Sequence, residues 1–134
     1  MAGMDRSDVQ AWLDRYVEAW RANERGPIEA LFTEDAVYRY RPYADPDQTV
    51  SGGAAIAESW LEEPDAPGSW EAHYEPFAVD DDRAVAVGWS RYLATDTEPE
   101  RTYHNAYLLT FAPDGRCREF SEFYMREDTA QSGA

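Results

Sequence analysis

With 134 residues, 43% of them hydrophobic and 14% aromatic, the chain has the length of one domain and too much apolar content for disorder. Its 27 acidic residues outweigh 12 basic ones, a net charge of −15, so nucleic acid is excluded as a default partner and an anionic membrane surface is disfavoured. All the basic residues are Arg, which excludes lysine Schiff-base chemistry and a P-loop, and a single cysteine, Cys117, excludes an internal disulfide or a thiolate metal cluster.

Ser7 and Asp8 read as a helix start. Val9, Trp12, Leu13, Tyr16, Val17 and Trp20 then recur at helical spacing and predict a first helix to about Ala22. Gly26-Pro27 breaks it and opens a short second helix with Ile28, Leu31 and Phe32 inward, ended by Thr33-Glu34-Asp35. Val37 to Arg41 is expected as a strand stopped by Pro42, with a loop from Tyr43 to Gly53. Ile56, Trp60 and Leu61 place a third helix over Ala54 to Glu63, and Pro64 to Ser69 is a linker.

From Trp70 the period falls to two. Strands are expected over 70–79, 83–95, 101–112 and 116–126. Asp80-Asp81-Asp82, the stretch from Thr97 to Glu100, and Pro113-Asp114-Gly115 make the turns. The domain is thus 1–134, with an ordered core over about 8–126 and a tail at 127–134. No apolar run approaches the roughly 18 residues of a membrane helix. The first residues lack a signal peptide's basic and apolar regions, so the expected location is cytoplasmic.

Helices first and antiparallel strands after predict an α+β layered fold. Val85, Val87, Trp89 and Leu93, and then Tyr103, Asn105, Tyr107, Leu109 and Phe111, are the faces expected toward the helices. The opposite alternation is also apolar: Tyr92, His104, Ala106, Leu108, Phe123 and Met125. Such a patch is seldom left in water, so a homodimer through this sheet surface is expected, with Leu108 and Phe123 near its centre.

Glu122 is the leading candidate for chemistry, because it alternates with Phe120 and Tyr124 on the last strand. A carboxyl among aromatic rings is desolvated, and its raised pKa suits acid–base work. The same alternation can instead turn Phe123 and Met125 inward and Glu122 to solvent. Arg91 beside Glu122 would hold the carboxyl charged instead. His73 alternates with Glu71 and Glu75 and reads as a solvated face, and His104 as a surface or interface residue. Neither histidine has metal-ligand spacing, the acids at 80–82 read as a solvated turn, and no metal or cofactor is expected.

The order of elements resembles the nuclear-transport-factor-2-like superfamily, and within it the SnoaL-like proteins. The resemblance lies in Trp12…Tyr16…Trp20, in the run from Ile28 to Tyr38, in Gly52-Gly53…Ile56…Trp60, and in Tyr103 to Phe111 followed by Asp114 to Phe120. It implies a cone, in which a curved antiparallel sheet wraps a long first helix and two shorter helices, with a pocket at the open end. Toward that pocket it places Tyr16, Tyr38, Tyr40, Trp60 and Trp89. Arg91, Asn105, Tyr107, Phe120, Glu122 and Tyr124 complete the lining.

Glu122 falls where limonene-epoxide-hydrolase-like members carry a water-activating aspartate, and Tyr38 where a tyrosine helps hold the water. Tyr40 replaces that pattern's amide, and Leu93 the aspartate paired with its arginine. Against ketosteroid-isomerase-like members Tyr16 matches, while Tyr40 and Tyr107 replace the two acids. Against scytalone-dehydratase-like members His73 and Asn105 fall near functional positions, and Arg21 near their helix aspartate. The resemblance implies a small, largely apolar ligand with some oxygen functionality. Glu122 would be the acid/base, Tyr16, Tyr38 and Tyr40 hydrogen-bond donors, and Asn105 the orienting group. The reaction class would be isomerisation, cyclisation, dehydration or hydration, or else the domain would be a binding or assembly module without catalysis.

Overall fold

The computed structural model describes residues 4–39, 49–62, 66 and 68–127. Helix α1 spans Arg6–Ala22 and α2 spans Arg25–Glu29. Strand β1 (Phe32–Arg39), strand β2 (Thr49–Ser51) and helix α3 (Gly53–Glu62) follow. The chain then forms β3 (Trp70–Asp80), β4 (Arg83–Tyr92), β5 (Arg101–Phe111) and β6 (Cys117–Arg126). The strands make one curved, unclosed sheet in the order β2-β1-β6-β5-β4-β3, antiparallel except where β1 runs parallel to β6. None of the described helices is long and apolar enough to cross a membrane.

The start of α1 lies two residues earlier than the Ser7 signal suggests. The Asp5 carboxylate accepts from the Asp8 amide at 2.8 Å while the Asp8 carboxylate accepts from the Asp5 amide at 3.1 Å. This reciprocal capping box satisfies two otherwise orphaned donors, so Asp5 outcompetes Ser7. At the other end Asn23 takes a left-handed conformation, φ 53°, and its amide bonds back to the Ala19 carbonyl.

The second helix is shorter than expected, and the first strand begins earlier, at Phe32 rather than Val37. The reason is a bulge. Phe32 pairs with Cys117 and Val37 with Glu119, so five steps along β1 meet two along β6. Thr33, Glu34 and Asp35, read as a helix end, occupy this irregular stretch. Strand β2 has no counterpart in the sequence reading, being three residues inside an expected loop.

One face of α1 supplies the core. Val9, Trp12, Leu13, Tyr16 and Ala19 are buried against the concave face of the sheet. Trp12 stacks on Tyr16 at 5.5 Å, meets Phe32 and Phe111 edge-on, and donates its indole N–H to the Leu31 carbonyl at 3.0 Å. Each such side chain, fully buried, contributes about 1.5–3 kcal/mol.

The faces of β4 are opposite to those expected. Ala86 pairs with Tyr107, Gly88 with Asn105, Ser90 with Tyr103 and Tyr92 with Arg101, so these residues share the concave side. Val85, Val87, Trp89 and Arg91 therefore stand on the convex side, Tyr92 points inward, and Leu93 lies beyond the strand. Small residues face the helices here because aromatic rings from neighbouring strands fill the space. A Cβ on Gly88 would run into the His73 carbonyl oxygen and lie 2.6 Å from Tyr74 Cδ1.

Candidate functional site

Strands β5 and β6 bring the polar groups together. Their register sets Tyr107 opposite Glu122, Asn105 opposite Tyr124 and Tyr103 opposite Arg126, all on the concave side. At this end of the sheet a cavity of about 320 Å³ is lined by Ser90, Tyr92, Arg101, Tyr103, Asn105, Glu122 and Tyr124. Ser90 donates to the Asn105 side-chain oxygen at 3.3 Å. The ring of Tyr103 meets Tyr92 and Tyr124 edge-on, at 5.8 and 5.7 Å. The Arg101 guanidinium lies 5.3 Å from the centre of the Tyr92 ring.

Glu122 is the acid of this cavity. Burial alone pushes its carboxyl from the ordinary 4.5 up to about 7, because the charged form loses its water. The alternative of an Arg91 partner is overturned by the register. Arg91 stands on the other side of the sheet, 3.7 Å from Glu71 and over the Trp89 ring at 5.0 Å.

A cluster of tyrosines backs the cavity. The Tyr16 and Tyr38 hydroxyls are 3.3 Å apart and buried. Burial holds the Tyr16 and Tyr107 hydroxyls well above their usual range, and the nearby Glu122 charge adds to the rise. Tyr74 is pushed up to about 12, again chiefly by burial. Its hydroxyl is buried without a well-formed hydrogen bond, the Tyr107 and Ser90 hydroxyls being its polar neighbours. The Tyr16, Tyr74 and Tyr107 phenols stay protonated near neutrality and can act only as donors or as neutral acceptors.

Three of the residues singled out from sequence line the cavity: Glu122, Asn105 and Tyr124. Tyr16, Tyr38, Tyr107 and Phe120 are packed behind it as core, with Phe120 stacked on Tyr38 at 4.3 Å. Trp60, on α3, packs edge-on to Tyr16 at 5.2 Å. Trp89 and Arg91 are on the convex side, for the register reason given above. Tyr40 lies outside the described residues, as do most of the expected loop from Tyr43, Glu63, part of the linker at 64–69, and the tail from 128 onward.

His73 is exposed on the convex face, 3.5 Å from Glu75, and His104 is exposed 3.0 Å from Glu127. At the β3–β4 turn Arg83 approaches Asp80 at 3.8 Å and Arg118 approaches Asp82 at 3.7 Å. Among the described residues no three His, Cys, Asp or Glu side chains converge.

Sequence reasoning did not assign Ser90, Tyr92, Arg101 and Tyr103 to the site. Tyr103 already shared the alternation of Asn105 and Tyr107. Ser90 and Tyr92 follow once Ala84, Ala86 and Gly88 are taken as the side under the aromatic rings.

Three solved structures illustrate the fold. A nuclear-transport-factor-2-like protein of unknown function from Burkholderia xenovorans is 12% identical, with a TM-score of 0.65 over 98% of this chain and 95% of that one. A limonene-epoxide-hydrolase-like epoxide hydrolase of Mycobacterium tuberculosis is 11% identical, TM-score 0.65, over 90% and 84%. A protein of unknown function with a cystatin-like fold from Methylobium petroleophilum is 18% identical, TM-score 0.66, over 98% and 91%. At these identities the likeness is one of fold. No curated protein matches the chain in sequence. The SnoaL-like domain family, however, matches residues 13–120, from α1 through the aromatic centre of β6. The chain therefore belongs to the SnoaL-like family, within the nuclear-transport-factor-2-like superfamily.

Proposed function

We propose that this protein binds a small, oxygen-bearing molecule in the cavity at the end of the sheet, and that Glu122 moves a proton on it. The observation that carries the reading is a carboxyl raised to about 7 by burial alone, in a cavity that also offers hydroxyl and amide groups. An acid–base group works best when its pKa lies near the working pH. Near neutrality Glu122 is divided between carboxylate and carboxylic acid, so it can take a proton at one position and return it at another. Isomerisation, cyclisation and dehydration share that step, the returned proton in dehydration leaving with the hydroxyl as water, and hydration takes its water from solvent. Ser90, Asn105, Tyr103 and Tyr124 would hold the ligand's oxygens, and the tyrosine faces its apolar skeleton.

The reading is tested by identifying small molecules that co-purify with the protein and following their conversion by NMR. Turnover by the native chain and a loss of roughly 100-fold or more in Glu122→Gln are expected. Undiminished turnover in the variant would overturn it.

The packed interior favours a second reading. Tyr16, Tyr38, Tyr107 and Phe120 fill the cone with the protein's own rings, as in a binding or assembly module. Under that reading the ligand is released unchanged. We also infer a two-fold homodimer through the convex face of the sheet. Leu108 is 46% exposed, and Met125 76%, on adjacent strands of that face.

A further inference from the structure

We propose that Arg101 is an anion-binding group of the cavity, so that the ligand is an elongated organic acid whose carboxylate sits at the mouth while its reacting end reaches Glu122. The inference rests on the proposed use of the cavity and adds the class of substrate.

Arg101 opens β5 on the concave side, directly opposite Tyr92, and lines the cavity that Glu122 closes. Its side chain is only 16% exposed. A guanidinium so far removed from water needs negative charge or several acceptors. It has little of either among the described residues. One terminal nitrogen, Nη1, donates to the Pro99 carbonyl at 3.1 Å and approaches Glu98 at 3.6 Å, a long contact to a mostly exposed side chain. The guanidinium lies over the Tyr92 ring at 5.3 Å, and its contacts to Pro99 and Glu98 are both made by Nη1, so Nε and Nη2 make no hydrogen bond among the described residues. The two parallel N–H groups on the edge that Nε and Nη2 form match a carboxylate.

The spacing sets the ligand's length. Arg101 and Tyr107 are six residues apart on β5, and Glu122 faces Tyr107 across the pair. That is roughly 20 Å of strand. The two charged groups therefore stand toward opposite ends of the cavity they both line, and Arg101 pairs with Glu98 rather than with Glu122. This separation also explains why the arginine does not pull the Glu122 pKa down. Between the two ends lie the rings of Tyr103 and Tyr124 and the amide of Asn105, a wall suited to a flat or ring-bearing skeleton. The 320 Å³ cavity accommodates two or three rings, and not a polymer.

Net charge makes the idea demanding. At −15 the molecule as a whole repels anions, so a preference for an anionic ligand over its neutral ester must come from a local group.

The test uses the full chain, calorimetric titration at physiological ionic strength, and matched probes: biphenyl-4-carboxylate, 2-naphthoate and 4-phenylbutyrate, each against its methyl ester. At least one carboxylate should bind roughly tenfold more tightly than its ester. Arg101→Gln should erase that preference while leaving the ester's affinity and the thermal midpoint unchanged. Arg101→Met, which retains the contact with Tyr92, should behave likewise. Glu122→Gln should keep the preference, which separates this inference from the acid–base reading. A preference that survives both Arg101 variants overturns the proposal, as does no carboxylate binding better than its ester, failure of all to bind included.

Discussion

Tyr107 and Glu122 face each other across β5 and β6, and both point into the concave side of the sheet. The phenol is buried and stays protonated, while the carboxyl is desolvated and titrates near neutrality. Burial and then the Glu122 charge raise the cost of ionising the phenol, while burial alone raises that of the carboxyl, so a negative charge on Glu122 is held in a region poor in water.

This has a consequence for stability. The Glu122 pKa is higher in the folded chain than in the unfolded one, so the fold binds the extra proton between pH 4.5 and about 7. Its penalty is absent below pH 4.5, grows through that window and is complete above pH 7, where it amounts to about 3 kcal/mol. Glu122→Gln is expected to match the native chain at pH 4 and to be more stable by up to about 3 kcal/mol at pH 8. Urea unfolding at the two pH values measures the difference. An equal gap at both would show that the carboxyl is not desolvated.

The His73 carbonyl and the Tyr74 ring approach Gly88 too closely to leave room for a side chain. Gly88→Ala should cost about 3 kcal/mol through overpacking, lowering the melting temperature by roughly 10 °C. Differential scanning calorimetry checks this, and a change within about 1 °C would mean that β3 does not approach Gly88 this closely.

Much of the fold was legible in the sequence, and the exceptions share a physical cause. The helical spacing of Val9, Trp12, Leu13 and Tyr16 gave α1 and its buried face, and the period-two runs gave the four long strands. Helix α3 was displaced by one residue. Strand β4 was read upside down because hydrophobicity favours Val85, Val87 and Trp89 as the inward set. Packing instead demands small residues beneath Tyr74 and Tyr107, and that demand comes from other strands. The same inversion put Trp89 and Arg91 into the expected lining and kept Ser90 and Tyr92 out. Both alternations of β6 carry apolar residues, so the pattern alone left the face of Glu122 open, and it was the resemblance that turned it inward with Phe120 and Tyr124. Arg101 escaped notice because a strand's first residue looks like the edge of a turn.

Cys117 should be chemically silent in the native protein. It is fully buried, its thiol donates to the Glu119 carbonyl at 3.2 Å, and burial pushes its pKa up. A thiol-reactive disulfide reagent is expected to label it only as fast as the protein unfolds. Rapid labelling without denaturant would contradict the packing of β6 against β1.

Sedimentation equilibrium at micromolar concentration should give twice the 15.3 kDa chain mass. Leu108→Glu and Met125→Glu should each shift the population toward monomer, because both place a charge on the exposed apolar part of the convex face. A native monomer at that concentration would leave this face without a partner of its own kind.

We propose Glu122 as an acid–base group poised near neutrality inside the cavity. A carbon-13 NMR titration of its side-chain carboxyl, assigned by comparison with Glu122→Gln, measures this directly. A midpoint of about 7 is expected. A midpoint near the ordinary 4.5 would show a solvated carboxylate and contradict it.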